Sequence, residues 1–282
     1  MTLILRRFLA LVALGLAFAM PARATTYSID FTDIWWNAAE SGWGINVAQR
    51  SNIIFATLFV YGPDNTARWY SATLVPVTPQ PSGLTRFSGQ LFRTTGPWFG
   101  TPVFNPNTVG VQAVGNMTLS FNSPVTGTLV YDVDGVTVTK DIARQPFGTE
   151  NLTGQYVGGM HAIASQCQNA NDNGPAYILG IVTITQPTVG GQLRARFRLD
   201  FLANGFDSNC IYEGPYQQLG KLATVSSGNF SCTVGTQSSS TGTFSMTVLD
   251  AQVNGFHASF TGRDQFCTYN GRFGGTRDVI GN

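Results

Sequence analysis

From residue 31 onward, apolar and polar side chains alternate with a period of two. Turn residues interrupt the alternation roughly every 8–14 positions. Helical spacing is nearly absent beyond the first 24 residues, so the pattern predicts an all-β chain of antiparallel meanders. In the first half it predicts strands at 31–37, 42–50, 53–61, 67–75, 84–94, 109–121, 125–133 and 136–145. Ser51-Asn52 joins two of them tightly, and Gly62-Pro63-Asp64-Asn65 has the chemistry of a hairpin loop. Asp134-Gly135, between Val133 and Val136, reads as a two-residue type I′ turn. The long connection, 96–108, is rich in Pro and Gly and holds Trp98-Phe99.

The second half repeats the plan, with strands predicted near 152–164, 176–186, 192–203, 209–218, 221–234, 241–250, 253–261 and 265–274. Eight strands in meander order can close on themselves and remove both sheet edges. A chain with 11% charged residues also lacks the charges that guard open edges, which favours two barrel-like domains over two sandwiches. The expected division is a leader at 1–24, a first domain at 25–148 and a second at 149–282. Closure makes a disulfide map conceivable. A turn at Leu219-Gly220 brings Cys210 close to the position facing Cys232. Pairing of the last strand with the first of that half brings Cys267 near Cys167. Of the three possible connectivities, this topology favours Cys210–Cys232 with Cys167–Cys267.

The two halves differ in chemistry. All five tryptophans lie between Trp35 and Trp98, and all four cysteines lie in the second half. The cysteine intervals of 43, 22 and 35 residues do not suit zinc. Arg6 and Arg7, the apolar run from Phe8 to Met20, and Ala22-Arg23-Ala24 form a secretory leader with an A-x-A cleavage site, so the mature chain is expected to start at Thr25. Export and paired cysteines agree on an oxidising compartment, secreted or periplasmic. No later apolar run is long enough to span a membrane. Losing the three leader arginines takes the net charge of +1 to about two charges negative. With only Lys140 and Lys221 as lysines, phosphate neutralisation is out of reach, which excludes nucleic acid as a partner.

Several segments are distinctive. Asp33-Ile34-Trp35-Trp36-Asn37, Glu40 to Val47, Phe55 to Tyr61, Trp69-Tyr70 and Phe92 to Gly100 together resemble a recurrent module of secreted proteobacterial proteins with no assigned activity. Cys210 to Gly214 and Tyr269 to Gly275 resemble its cysteine-containing companion. Such modules accompany secreted enzymes, so the resemblance implies an accessory role and brings no catalytic residues with it.

The candidate chemistry is therefore recognition. Trp36, Trp43, Trp69, Trp98 and Tyr70 could stack on a flat ligand or a sugar ring, with Asn37, Glu40, Asn46 and Arg93 orienting it. The bland alternative is that the aromatics are core. Trp35 and Trp36 are adjacent, so on one strand they face opposite ways. Catalytic readings are thin. Glu40 lacks a second carboxylate at a defined separation, since Asp64 and Asp134 sit in turns. His161 and His257 lack a nucleophile elbow, and the oxygen-rich loop at Asn169, Asn171, Asp172 and Asn173 lacks the closing Glu of a calcium loop. No metal site or cofactor is expected. The leading expectation is a secreted non-catalytic protein binding a small or glycan-like ligand through the Trp-rich domain. The alternatives are an extracellular or periplasmic hydrolase and a structural cell-surface or assembly protein.

Overall fold

A computed structural model describes residues 29–202 and 207–278. The leader expected at 1–24 and its expected cleavage site lie outside the described residues. The chain forms two antiparallel barrels, and strand alternation survives almost residue by residue.

The first barrel is a closed meander of β1 (Asp33–Trp36), β2 (Gly44–Arg50), β3 (Ile53–Tyr61), β4 (Ala67–Pro76), β5 (Thr85–Thr95), β6 (Gly110–Phe121), β7 (Thr126–Val133) and β8 (Val136–Arg144). Pairing of Trp35 with Arg144 and of Trp36 with Ala143 closes it. Asp134 and Gly135 both adopt positive φ, 49° and 87°, as a type I′ turn requires.

The second barrel comprises β9 (Gly154–Ser165), β10 (Gly174–Thr185), the two-residue β11 (Thr188–Val189), β12 (Gln192–Phe201), β13 (Ser208–Leu219), β14 (Leu222–Val234), β15 (Gln237–Gln252), β16 (Gly255–Asp264) and β17 (Thr268–Arg277). β10 pairs with β12 and β17 with β9, so eight strands close the ring and β11 only extends the edge of β12. The sequence pattern places a turn at Gly190-Gly191 and misses β11 before it, because two residues carry no periodicity. Closure is tight at the seam: a Cβ on Gly158 would lie 2.1 Å from the Gly274 carbonyl oxygen, so only glycine lets β9 and β17 approach there. Both disulfides form as the meander implied. Cys210 and Cys232 face each other across β13 and β14, and Cys167 is bonded to Cys267.

One end of each barrel is sealed by the same device. In the first, Trp35 is 0% exposed and donates from Nε1 to the Phe31 carbonyl at 3.0 Å. The Arg144 guanidinium lies over its ring at 4.8 Å. In the second, the Tyr156 hydroxyl donates to the Leu152 carbonyl at 2.8 Å, and Arg277 lies over that ring at 5.1 Å. Each aromatic sits on the first strand of its barrel, pairs in register with an arginine of the last strand, and reaches back four residues for its acceptor. A cation on a buried ring lets the last strand end over the core without exposing it.

Arg144 is the more deeply committed of the two. It donates to the Pro124, Thr32 and Asp30 carbonyls at 2.7, 3.1 and 2.6 Å and to Asp33 Oδ2 at 2.8 Å. The sealed ends of the two barrels touch. The Lys221 backbone N–H, in the β13–β14 turn, donates to Asp33 Oδ2 at 2.8 Å, and the Lys221 ammonium pairs with Asp30.

Candidate functional site

The other end of the first barrel gathers several of the residues singled out in the sequence. A single 3₁₀ turn, Ala38–Glu40, links β1 to β2. Asn37 caps it: its side-chain oxygen accepts from the Ala39 N–H at 2.9 Å, and its amide donates to the Asp141 carbonyl at 3.2 Å. The turn aims Glu40 at Trp43, whose Nε1 donates to Glu40 Oε2 at 3.1 Å. Lys140, on the inward face of β8, donates to the same carboxylate at 2.9 Å. The hydrogen bond from Lys140 holds the Glu40 carboxyl below its ordinary value, against an opposing effect of burial, with Trp43 and the Lys140 charge adding to the depression. Glu40 is therefore an ionised, doubly bonded strut. A general acid has to hold its proton near neutral pH, and Glu40 does not. Close by, burial pushes the Tyr131 phenol up, and the Tyr70 and Glu40 charges reinforce the shift.

Arg93 belongs to the same end. It donates to Asp134 Oδ2 at 3.3 Å and to Gln112 Oε1 at 2.8 Å, which staples the β5–β6 pair to the β7–β8 turn. Asn37, Glu40 and Arg93 thus spend their hydrogen bonds on the barrel rim itself. Tyr70 points inward and is core, so it does not present a ring to solvent. Trp43 is half-buried against that core. Trp36 faces out on β1, half-buried. Trp98 and its neighbour Phe99 stand on the β5–β6 connection, their ring centroids 5.7 Å apart, with Trp98 70% exposed.

A second assembly lies on the outer wall, where sequence reasoning recognised Trp69 and Asn46 but missed their neighbours. Trp69 on β4 pairs in register with Phe59 on β3, both face outward, and each is 52% exposed. Phe55 and Tyr61 extend the same face of β3. Consecutive outward positions are about 7 Å apart, so the run from Phe55 to Tyr61 covers about 20 Å. Between the aromatic rows lies a polar row in which Asn46 pairs with Thr57 and Thr57 with Ser71. No charged side chain stands on the outward positions of β3 or β4. The signal was present in the segment Ile53 to Tyr61, which is apolar on both faces apart from Thr57. A strand with one face in the core and an apolar second face leaves that second face exposed.

In the second barrel the two histidines lie apart on the outer surface. His161 stacks on Tyr177 at 4.6 Å on the outside, and His257 is exposed opposite Gly274. In the oxygen-rich loop, Asn169 accepts from the Asn171 N–H and Asn173 from the Cys167 N–H, so these side chains hold their own turn. Among the described residues, no group of three or more His, Cys, Asp or Glu side chains is placed to hold a metal ion. No helix among the described residues is long and apolar enough to cross a membrane. Compared with protein families, with curated proteins and with solved structures, the chain matches none of them.

Proposed function

We propose that this is an exported, non-catalytic binding protein whose first barrel holds a neutral polysaccharide chain on its outer wall. The observation that carries this reading is the outward Phe59–Trp69 register pair, exposed and flanked by Tyr61 and by the uncharged row of Asn46, Thr57 and Ser71. Aromatic faces stack on the apolar faces of sugar rings, while hydroxyls and amides meet their edges. The absence of charge on this wall fits a neutral glycan rather than an acidic one. The paired cysteines and the leader-like first 24 residues support an oxidising compartment outside the cytoplasm.

The test is affinity electrophoresis of the mature protein in gels containing neutral glucans, mannans or xylans. Retardation by at least one polymer is expected. The F59A/W69A variant should lose it by ten- to hundredfold, matching about 1–3 kcal/mol for exposed stacking aromatics. Both side chains are half in water, so the fold should survive. Concentration-dependent self-association in sedimentation velocity, abolished by the same variant and without retardation by any polymer, would favour the structural or assembly reading instead.

A further inference from the structure

The second barrel is hollow at one end. At the end remote from Arg277, a cavity of about 270 Å³ opens between the strands. Its walls include Phe201, Phe230, Phe260, Tyr212 and Tyr269, with the Cys210–Cys232 disulfide also in the lining. The rings form a cage. Tyr212 is tilted against Phe230 at 5.3 Å and meets Phe260 edge-on at 5.7 Å. One carboxylate, Asp264, lies in the lining. Its Oδ1 accepts from the Phe266 and Cys267 N–H groups, both at 2.8 Å, which fixes the side chain at the end of β16. Its Oδ2 takes only a long contact, 3.3 Å, from the Tyr269 hydroxyl and keeps lone pairs for another donor.

The charges that bear on the cavity tyrosines are negative. Burial, with the Asp264 and Asp172 charges, pushes the Tyr269 phenol up to about 12. Burial, with Tyr269 and Asp264, raises the Tyr212 phenol in the same way. Both tyrosines stay neutral in the cavity lining. An apolar aromatic cage with a fixed carboxylate attracts a cation, through the ring quadrupoles and through a charge-assisted hydrogen bond in a site of reduced dielectric.

We propose that the open end of the second barrel is a binding site for a small organic cation, an ammonium group on a compact apolar body. The cavity accommodates about ten to fifteen non-hydrogen atoms, at the small end of ligand sites. The ammonium donates to Asp264 Oδ2, and the apolar body lies among Tyr212, Phe230 and Phe260. This site is independent of the outer wall of the first barrel, and loss of either leaves the other standing.

The experiment is calorimetric titration of the full mature chain with three soluble probes of nearly equal size: phenethylammonium, 2-phenylethanol and phenylacetate. The ammonium should bind at least tenfold more tightly than the alcohol, and the carboxylate should show no binding. D264N keeps the oxygen that accepts from Phe266 and Cys267 and should erase the preference for the ammonium over the alcohol. S240K adds a positive charge at the cavity lining without touching that turn and should weaken the ammonium at least tenfold, which keeps the test decisive where D264N fails to fold. A176F fills the mouth and should abolish both ligands. Equal affinity for the ammonium and the alcohol, tighter binding of phenylacetate, or no ammonium binding at millimolar concentration would overturn the proposal.

Discussion

Replacing Arg144 by alanine should cost the first barrel about 3–5 kcal/mol, the range for breaking a buried ion pair by removing one partner. The structure says why the upper part of that range is reasonable. The guanidinium is fully buried, and its partner carboxylate on Asp33 is 7% exposed. Burial pulls the Arg144 pKa down, but hydrogen bonding and charge from Asp33, with charge from Asp30 and Asp250, hold it ionised. Truncation removes four hydrogen bonds at once, strands the Thr32, Asp30 and Pro124 carbonyls, and uncovers the Trp35 ring. All five tryptophans belong to this barrel, so tryptophan fluorescence during urea unfolding reads it alone. The expected fall in midpoint is about 1–5 M urea. R144K, with a point-like donor in place of a planar fork, should fall between the two. Arg277 provides the internal comparison. It makes one good hydrogen bond, 2.8 Å to the Tyr156 hydroxyl, and a long one of 3.4 Å to the Thr153 carbonyl, while its Nε has no partner. R277A should therefore cost only about 1–2 kcal/mol, read by circular dichroism. An R144A midpoint within 0.5 M of the wild type, or an R277A cost equal to that of R144A, would refute the view that the Arg144 network holds the barrel shut.

Two further outcomes follow from the same geometry. Reduction should lower the melting temperature of the second barrel while the tryptophan-reported transition of the first stays in place. The Cys167–Cys267 bond, spanning 100 residues, should contribute about 4–5 kcal/mol against about 3 for Cys210–Cys232, spanning 22, as double-serine variants followed by calorimetry can check. At the contact between the barrels, burial alone would raise the Asp30 carboxyl, but hydrogen bonds from Lys221 and Thr32 outweigh it and leave the value below 3.8. Its contribution is thus fully present above that value and lost as pH falls through the depressed one. The stability difference between wild type and D30N should be constant above about pH 5 and shrink toward zero on further acidification; a difference that grows in acid would contradict the assignment.

Much of the fold was written locally. The period-two pattern and the turn residues located all sixteen barrel strands within a few positions, because each strand has one face in a core and each hairpin needs its own turn chemistry. The disulfides followed from the same information, since register along a meander carries Cys210 to Cys232 once the Leu219-Gly220 turn is placed. Parity also separates Trp35 from Trp36. It says that the two rings face opposite ways, but not which way is in, and only closure of β8 onto β1 put Trp35 beneath Arg144. Alternation likewise distinguishes inside from outside without distinguishing a filled interior from a hollow one. That difference depends on how side chains from eight strands meet at one height in the barrel. At the sealed end of the first barrel Trp35, Phe31 and Phe121 fill the interior, with Phe31 and Phe121 stacked at 3.8 Å. In the second, the residues at the open end leave it empty and bring Asp264 from the end of β16 to its edge. Local sequence chose the strands and their faces. The arginine seals and the cavity are long-range coincidences of residues more than a hundred positions apart, and only ring closure brings them together.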